Sequence, residues 1–325
     1  MQADFSLSYT YRYYRKGVEI MSETKQTGRT QVSLIKAETR EEGVKKSVDA
    51  LAVNPVKDKK VMLKPNFNTA DRYPGSTHPQ TLRELIIYLQ EMGADQITIG
   101  ERAGPPNTAE VMEDLGVFQL AEELNVDIVN FDELSSDQLV KVEVPDGHWD
   151  DGFVVPRALK EAECVVSTPC LKTHQYGGVF TMALKLAVGI IPKENTDYMK
   201  QMHDSPDMRR MIAEINVGYS PDLIVLDGME AFVDGGPMEG TRKRADLFLA
   251  GTDRIAVDAV GVSILKELGS TPEIMDKKVF QQEQISRAVE LGLGVSSPQD
   301  IEIITDENPE SQQYAEKISS ILKEG

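Results

Sequence analysis

From about Gln31 onward, short apolar runs alternate with longer stretches whose apolar residues recur at helical spacing. Val32 to Ile35, Lys60 to Lys64, Gln96 to Ile99 and Asp127 to Phe131 are predicted strands, as are Cys164 to Ser167, Leu223 to Leu226, Leu247 to Leu249 and Ile301 to Ile304. Between them, helices are predicted across Arg40 to Ala52, from Thr77-His78-Pro79 to Gly93, near Val179 to Val188, from Tyr198 to Val217 and from Arg254 to Leu268. The second of these carries Leu82, Leu85, Ile86 and Leu89 on one face. A β-rich interruption, near 140–156, holds the single tryptophan, Trp149. This order predicts an α/β fold, Rossmann-like, in which a mostly parallel sheet has helices on both faces and carries a small β-rich insertion.

Several predicted strands end alike, in an apolar run followed by chemically capable residues. They deliver Lys64-Pro65-Asn66, Gly100-Glu101-Arg102, Pro169-Cys170-Leu171-Lys172-Thr173-His174, Asp227-Gly228 and Gly251-Thr252-Asp253. In a parallel sheet all five groups lie along one edge, where ligands of such sheets bind.

Charge sharpens this picture. The chain has 325 residues with 53 acidic against 35 basic ones, a net charge of -18. Such a surface disfavours nucleic acid and anionic membranes as partners. Yet the stretch from Cys164 to Lys193 contains Lys172, Lys185, Lys193 and His174 without one acid, and Lys59 to Arg83 contains Asp71 alone. A positive cleft in a negative protein would focus a small anionic metabolite. Burial alone would also deplete acids, but it leaves Lys172, Lys185 and His174 unexplained, since unpaired buried charge is costly.

The candidate site therefore comprises Lys64, Asn66, Lys172, Thr173 and Lys185 as ligands for a carboxylate or phosphate, with His174 as general acid/base and Glu101 or Asp227 positioning it or sharing the proton. Each residue also has a plainer reading. Asn66 closes a turn, Glu101 pairs with Arg102, Lys185 reaches solvent, and Asp227 and Asp253 cap helices. No metal site is expected from one well-placed histidine, and phosphate-loop, HExxH and GxSxG patterns do not occur. The two cysteines, Cys164 and Cys170, cannot supply the four ligands of an iron–sulfur cluster. No such cluster is expected in this chain, and the pattern names no other cofactor. Few thiols and no long apolar span point to the cytoplasm. Residues 1–20, rich in tyrosine and lacking a signal-peptide core, read as a non-native or disordered extension ahead of a start at Met21, or else as an authentic strand or tail. Residues 21–325 then form one α/β domain.

Val61-Met62-Leu63-Lys64-Pro65-Asn66, Pro169 to His174, Ala183-Leu184-Lys185, Pro221 to Gly228 and Ala250 to Ala259 occur in an order that resembles the domain-of-unknown-function 362 family of bacteria and archaea. The likeness covers roughly residues 30 to 305. Many members of that family carry a ferredoxin-like module, whose cysteines this chain lacks, so the resemblance supports fold and site without a reaction. A remote likeness to the lactate racemase fold is an analogy of fold alone. Two functions stay open: an enzyme acting on a small anion, and a non-catalytic cofactor carrier or electron-transfer accessory working with a separate ferredoxin. A homodimer is compatible with either.

Overall fold

The computed structural model describes residues 28–193 and 196–324, together with the backbone pairing of Arg12–Arg15 with Val18–Met21. The expected extension, 1–20, otherwise lies outside the described residues. The central sheet runs in the order Ile301–Ile304, Thr30–Lys36, Arg242–Gly251, Leu223–Phe232, Cys164–Ser167, Lys60–Lys64, Gln96–Glu101 and Asp127–Asn130. Neighbours are parallel throughout, except that Arg242–Gly251 runs antiparallel to both of its own. The chain thus has the expected α/β architecture with a mostly parallel sheet.

Period-two alternation separates two cores. Val61 and Leu63, Cys164 and Val166, and Leu223 and Val225 face the helices Arg40–Ala50 and Pro79–Glu91, packing with Val44, Val48, Leu82 and Leu85. The intervening Ile224 and Leu226 face the opposite way and join Val257, Val260 and Ile264 of the helix Arg254–Leu268. Met62 and Val165 face a third cluster, built from Met211, Ile212 and Ile215 with Trp149 and Phe153. Phe153 belongs to a two-stranded antiparallel sheet, Leu139–Val142 with Phe153–Pro156, that closes this side. No helix among the described residues is long and apolar enough to cross a membrane.

Four expectations are corrected. Cys170–His174, expected as the polar segment that follows the strand Cys164–Ser167, is itself a strand, running parallel to Leu223–Phe232 and antiparallel to Val179–Thr181. The predicted helix near Val179 to Val188 is that short strand followed by a single helical turn, Ala183–Leu186. Its apolar run is buried on all sides, so periodicity alone could not separate strand from helix. Leu223–Phe232 continues well past the predicted Leu226, which leaves Asp227 in mid-strand. Finally, the reversed direction of Arg242–Gly251 brings Gly251 beside Val32 and Ile224, near the amino ends of their strands. Asp253 therefore leaves the proposed group. It caps the helix Arg254–Leu268, accepting from the Ala256 and Val295 N–H groups.

The helix Arg40–Ala50 lies close on the sheet because Gly43 has no side chain. A Cβ there would stand 2.1 Å from the Phe248 ring, which is fully buried. In Gly43→Ala, overpacking of about 1–3 kcal/mol outweighs a helix-propensity gain of about 1 kcal/mol. The melting temperature should fall; a rise would contradict this packing.

Candidate functional site

The Lys60–Lys64 and Gln96–Glu101 strands are adjacent and parallel, so Lys64 and Glu101 reach the same edge. Lys64 Nζ donates to Glu101 Oε1 at 2.5 Å and to the Pro65 carbonyl at 2.8 Å. Both side chains are about 1% exposed. Glu101 also accepts from the N–H groups of Arg102, at 2.8 Å, and Phe67, at 2.9 Å. Burial works against both charges, pushing Lys64 down and Glu101 up, and each partner's charge opposes that shift. The fully hydrogen-bonded carboxylate and its short contact to Lys64 favour the ion pair. Gly189 covers it: a Cβ there would stand 2.9 Å from both Lys64 Nζ and Glu101 Oε1.

Beside this pair lies a cavity of about 50 Å³, lined by Lys64, Asn66, Glu101, Arg102, Lys172 and Lys185 among others. On the scale where one water needs roughly 10–15 Å³, it holds a molecule of a few heavy atoms. Lys172 is fully buried and donates to the carbonyls of Gly75 and, at 3.4 Å, Pro237. Arg102 is 3% exposed and donates only to neutral acceptors: the Ile191 and Ala103 carbonyls and Met199 Sδ. Among the described residues, no carboxylate lies within ion-pair distance of Lys172, Lys185 or Arg102. Asn66 shapes the rim, its side chain donating to the Gly75 carbonyl at 3.2 Å.

Lys185 is half-buried and makes no hydrogen bond or ion pair with any described residue. Its backbone is fixed from both ends. Asp258, buried in the helix Arg254–Leu268, accepts from the N–H groups of Ala183 at 2.7 Å and Leu184 at 2.9 Å. Asn216 donates to the Leu184 carbonyl at 2.9 Å. Burial raises Asp258 to about 7, against the pull of those two N–H groups. The lysines shift the other way. Burial, followed by the charges of Lys172 and Arg102, lowers Lys185 to about 7, and burial lowers Lys172 to about 8.

Three sequence candidates stand apart from the cavity. Asp227 shares its strand face with Leu223 and Val225, toward the helices, where it accepts from Arg40 Nε at 3.0 Å, Thr81 Oγ1 and the Met229 N–H. It holds helices to the sheet and does not approach His174. Thr173 alternates away from Lys172 and donates to the Phe232 carbonyl at 3.3 Å. His174 stands behind Lys185, both converging on Gly178, where a Cβ would be 2.9 Å from His174 Nδ1 and 2.7 Å from Lys185 Cε. Burial and the charges of Lys185, Lys172 and His203 push its pKa far down, so the near-neutral titration expected of it is not met. Neither Glu101 nor Asp227 hydrogen-bonds to it; Nδ1 is buried without a described partner, as is Thr181 Oγ1 on the cavity wall. Arg102 is legible as the residue after Glu101, and Asp258 as the one acid within the apolar stretch Ile255 to Leu265, but neither belongs to the set expected from the sequence.

Among the described residues, no three His, Cys, Asp or Glu side chains are grouped to hold a metal ion. The two cysteines are buried in the core, and burial raises the Cys170 thiol to about 12.

The lysine shifts fix a pH dependence. Below about pH 7 both folded and unfolded chains carry the protons of Lys185 and Lys172. Above about pH 8 the folded chain has released them, while the unfolded chain, titrating near 10.5, still holds them. Stability from these two groups therefore rises with pH from about 7 toward 10.5. Urea unfolding of the wild type should show that rise relative to a Lys172→Met/Lys185→Met double variant. Parallel curves would contradict the shifts.

The thylakoid-associated protein sll1697 of Synechocystis is 29% identical over 217 residues, which are 64% of this chain. The match spans 63% of that relative's own length. The lactate racemase apoprotein of Thermoanaerobacterium thermosaccharolyticum superposes with a TM-score of 0.46 at 11% identity, covering 95% of this chain and 90% of that one. The profile described as "Domain of unknown function (DUF362)" matches residues 61–263, a span that contains Lys64, Glu101, Arg102, Lys172, Lys185 and Asp258. The chain belongs to the DUF362 family.

Proposed function

We propose that the protein is an enzyme that binds a small anionic metabolite, a carboxylate or phosphate, in the Lys64–Lys185 cavity. One observation carries this reading: four buried or half-buried cations meet at a small cavity, and among the described residues that line it a single carboxylate, already bound to Lys64, opposes them. Three cations without an ion-pair partner among the described residues repel one another in a low-dielectric site, and an anion placed among them relieves that cost. The buried, unpartnered Thr181 hydroxyl supports a polar ligand at the same wall. In a chain of net charge -18, such a cluster also focuses the field onto one entrance.

Within this reading Lys172 and Arg102 hold the anion, and Asn66 bounds the rim. Lys64, neutralised by Glu101, keeps the two strand ends in register. Proton transfer falls to Lys185, because its pKa of about 7 is matched to neutral conditions and that of His174 is not.

Calorimetric titration with oxalate and with phosphate tests the proposal. At least one should bind the wild type, and Lys185→Met should weaken it by roughly tenfold or more, the worth of one charge-assisted hydrogen bond. The melting temperature of the unliganded variant should not fall, since a repelled charge has been removed. Absence of binding by the wild type, unchanged binding by the variant, or a large loss of stability would each contradict the reading.

A further inference from the structure

We propose that Lys185 Nζ is a nucleophile that forms an imine with the carbonyl carbon of a small 2-oxo acid whose carboxylate lies against Lys172 and Arg102. The inference rests on the anion-binding reading and adds to it the substrate class and the reacting atom.

Lys64 and Lys172 each direct ammonium protons to two fixed acceptors, Glu101 and Pro65 for the one and Gly75 and Pro237 for the other, and Arg102 directs three of its five N–H groups to Ile191, Ala103 and Met199, so that Lys172 and Arg102 keep donors for an anion. Those groups are fixed in place as charges. Lys185 alone among the cavity's cations has no acceptor among the described residues, so nothing there holds its protons. An amine enclosed beside other cations is the arrangement that keeps a lysine uncharged and nucleophilic.

The charges that act most on Lys185 are those of Lys172 and Arg102, and both favour the neutral amine. Lys172 and His174 approach from the Cys170–His174 strand, Arg102 and the Lys64–Glu101 pair from the ends of their strands, and His203 from the helix Tyr198–Asp204. Asp258 lies beneath the preceding turn, committed to the Ala183 and Leu184 N–H groups. The same cations that suppress the charge on Lys185 are placed to hold a carboxylate. A 2-oxo acid has its carboxylate one bond from its carbonyl carbon, and its smallest examples match a cavity of about 50 Å³.

The step balances without an oxidant or reductant. The Nζ lone pair bonds to the carbonyl carbon as the C=O π pair moves onto oxygen, which takes one proton from nitrogen. The carbinolamine then expels that oxygen as water, carrying the second nitrogen proton, and the C=N bond forms. Amine and carbonyl give imine and water. The cavity's cations hold the carboxylate throughout.

Reductive trapping on the full chain tests this. Glyoxylate and pyruvate are added separately with cyanoborohydride near neutral pH, and the adduct, one oxo acid less one oxygen, is located by peptide mapping. We expect Lys185 to be labelled on the order of tenfold or more faster than any other lysine, with a rate that rises through pH 7, whereas an ordinary lysine's rises near 10.5. Lys185→Arg should lose the adduct. Label spread over the lysines as in the unfolded chain, or centred on another lysine, overturns the proposal. If oxalate binds the wild type but neither oxo acid labels Lys185, the imine fails and the anion site stands. If oxalate and phosphate also fail to bind, both readings fall.

Discussion

The candidate site is organised by an imbalance of buried charge. Among the described residues Glu101 is the one carboxylate lining the cavity, and Lys64 has it, at 2.5 Å and out of solvent. Removing one member of such a pair typically costs about 3–5 kcal/mol, because the other charge is then stranded. The pair therefore belongs to the folding of this edge: Glu101 also binds the Phe67 and Arg102 N–H groups and so fixes where both loops leave the sheet. What remains is Lys172, Arg102 and Lys185, which repel one another, none of them in an ion pair with a described carboxylate; Asp132 and Asp71 act on Arg102 and Lys172 only from beyond that distance.

The fold holds that repulsion in place with unusually buried supports. Lys172 is anchored by two backbone carbonyls from separate loops, those of Gly75 and Pro237. The turn carrying Lys185 is pinned by Asp258 and Asn216, both fully buried, and Asn216 in turn accepts from Arg254 at 3.2 Å. Gly178 and Gly189 sit where any side chain would collide with Lys185, His174 or the Lys64–Glu101 pair. Such supports hold reactive groups in a fixed geometry at the expense of stability, as functional sites commonly do.

Much of this was legible in the chain. Alternation of apolar runs and amphipathic stretches exposed the α/β order, and the acid-free run from Cys164 to Lys193 marked the cations that now line the cavity. Lys64, Asn66, Glu101 and Lys172 meet as the strand-end rule implied, and Lys185 joins them from the helical turn Ala183–Leu186. The misses have physical causes. Asp227 and Asp253 were placed by assuming that every strand runs the same way and ends where its apolar run ends. One strand is reversed, and another continues through Asp227 to Phe232. His174 was given a role from its ordinary titration range, but its pKa depends on neighbours that only the fold brings together. The same neighbours move Lys185 into the range assigned to the histidine.

The account stands on Lys185 being an unpaired amine whose charge waits on an anion. An NMR pH titration of lysine side chains carrying a ¹³C label at Cε measures this directly, with the Lys185 resonance assigned by its loss in Lys185→Arg. Its midpoint should lie near 7 and move upward when oxalate is added, because a bound anion favours the protonated form. A midpoint near the ordinary 10.5, or one that oxalate leaves unmoved, would contradict the account.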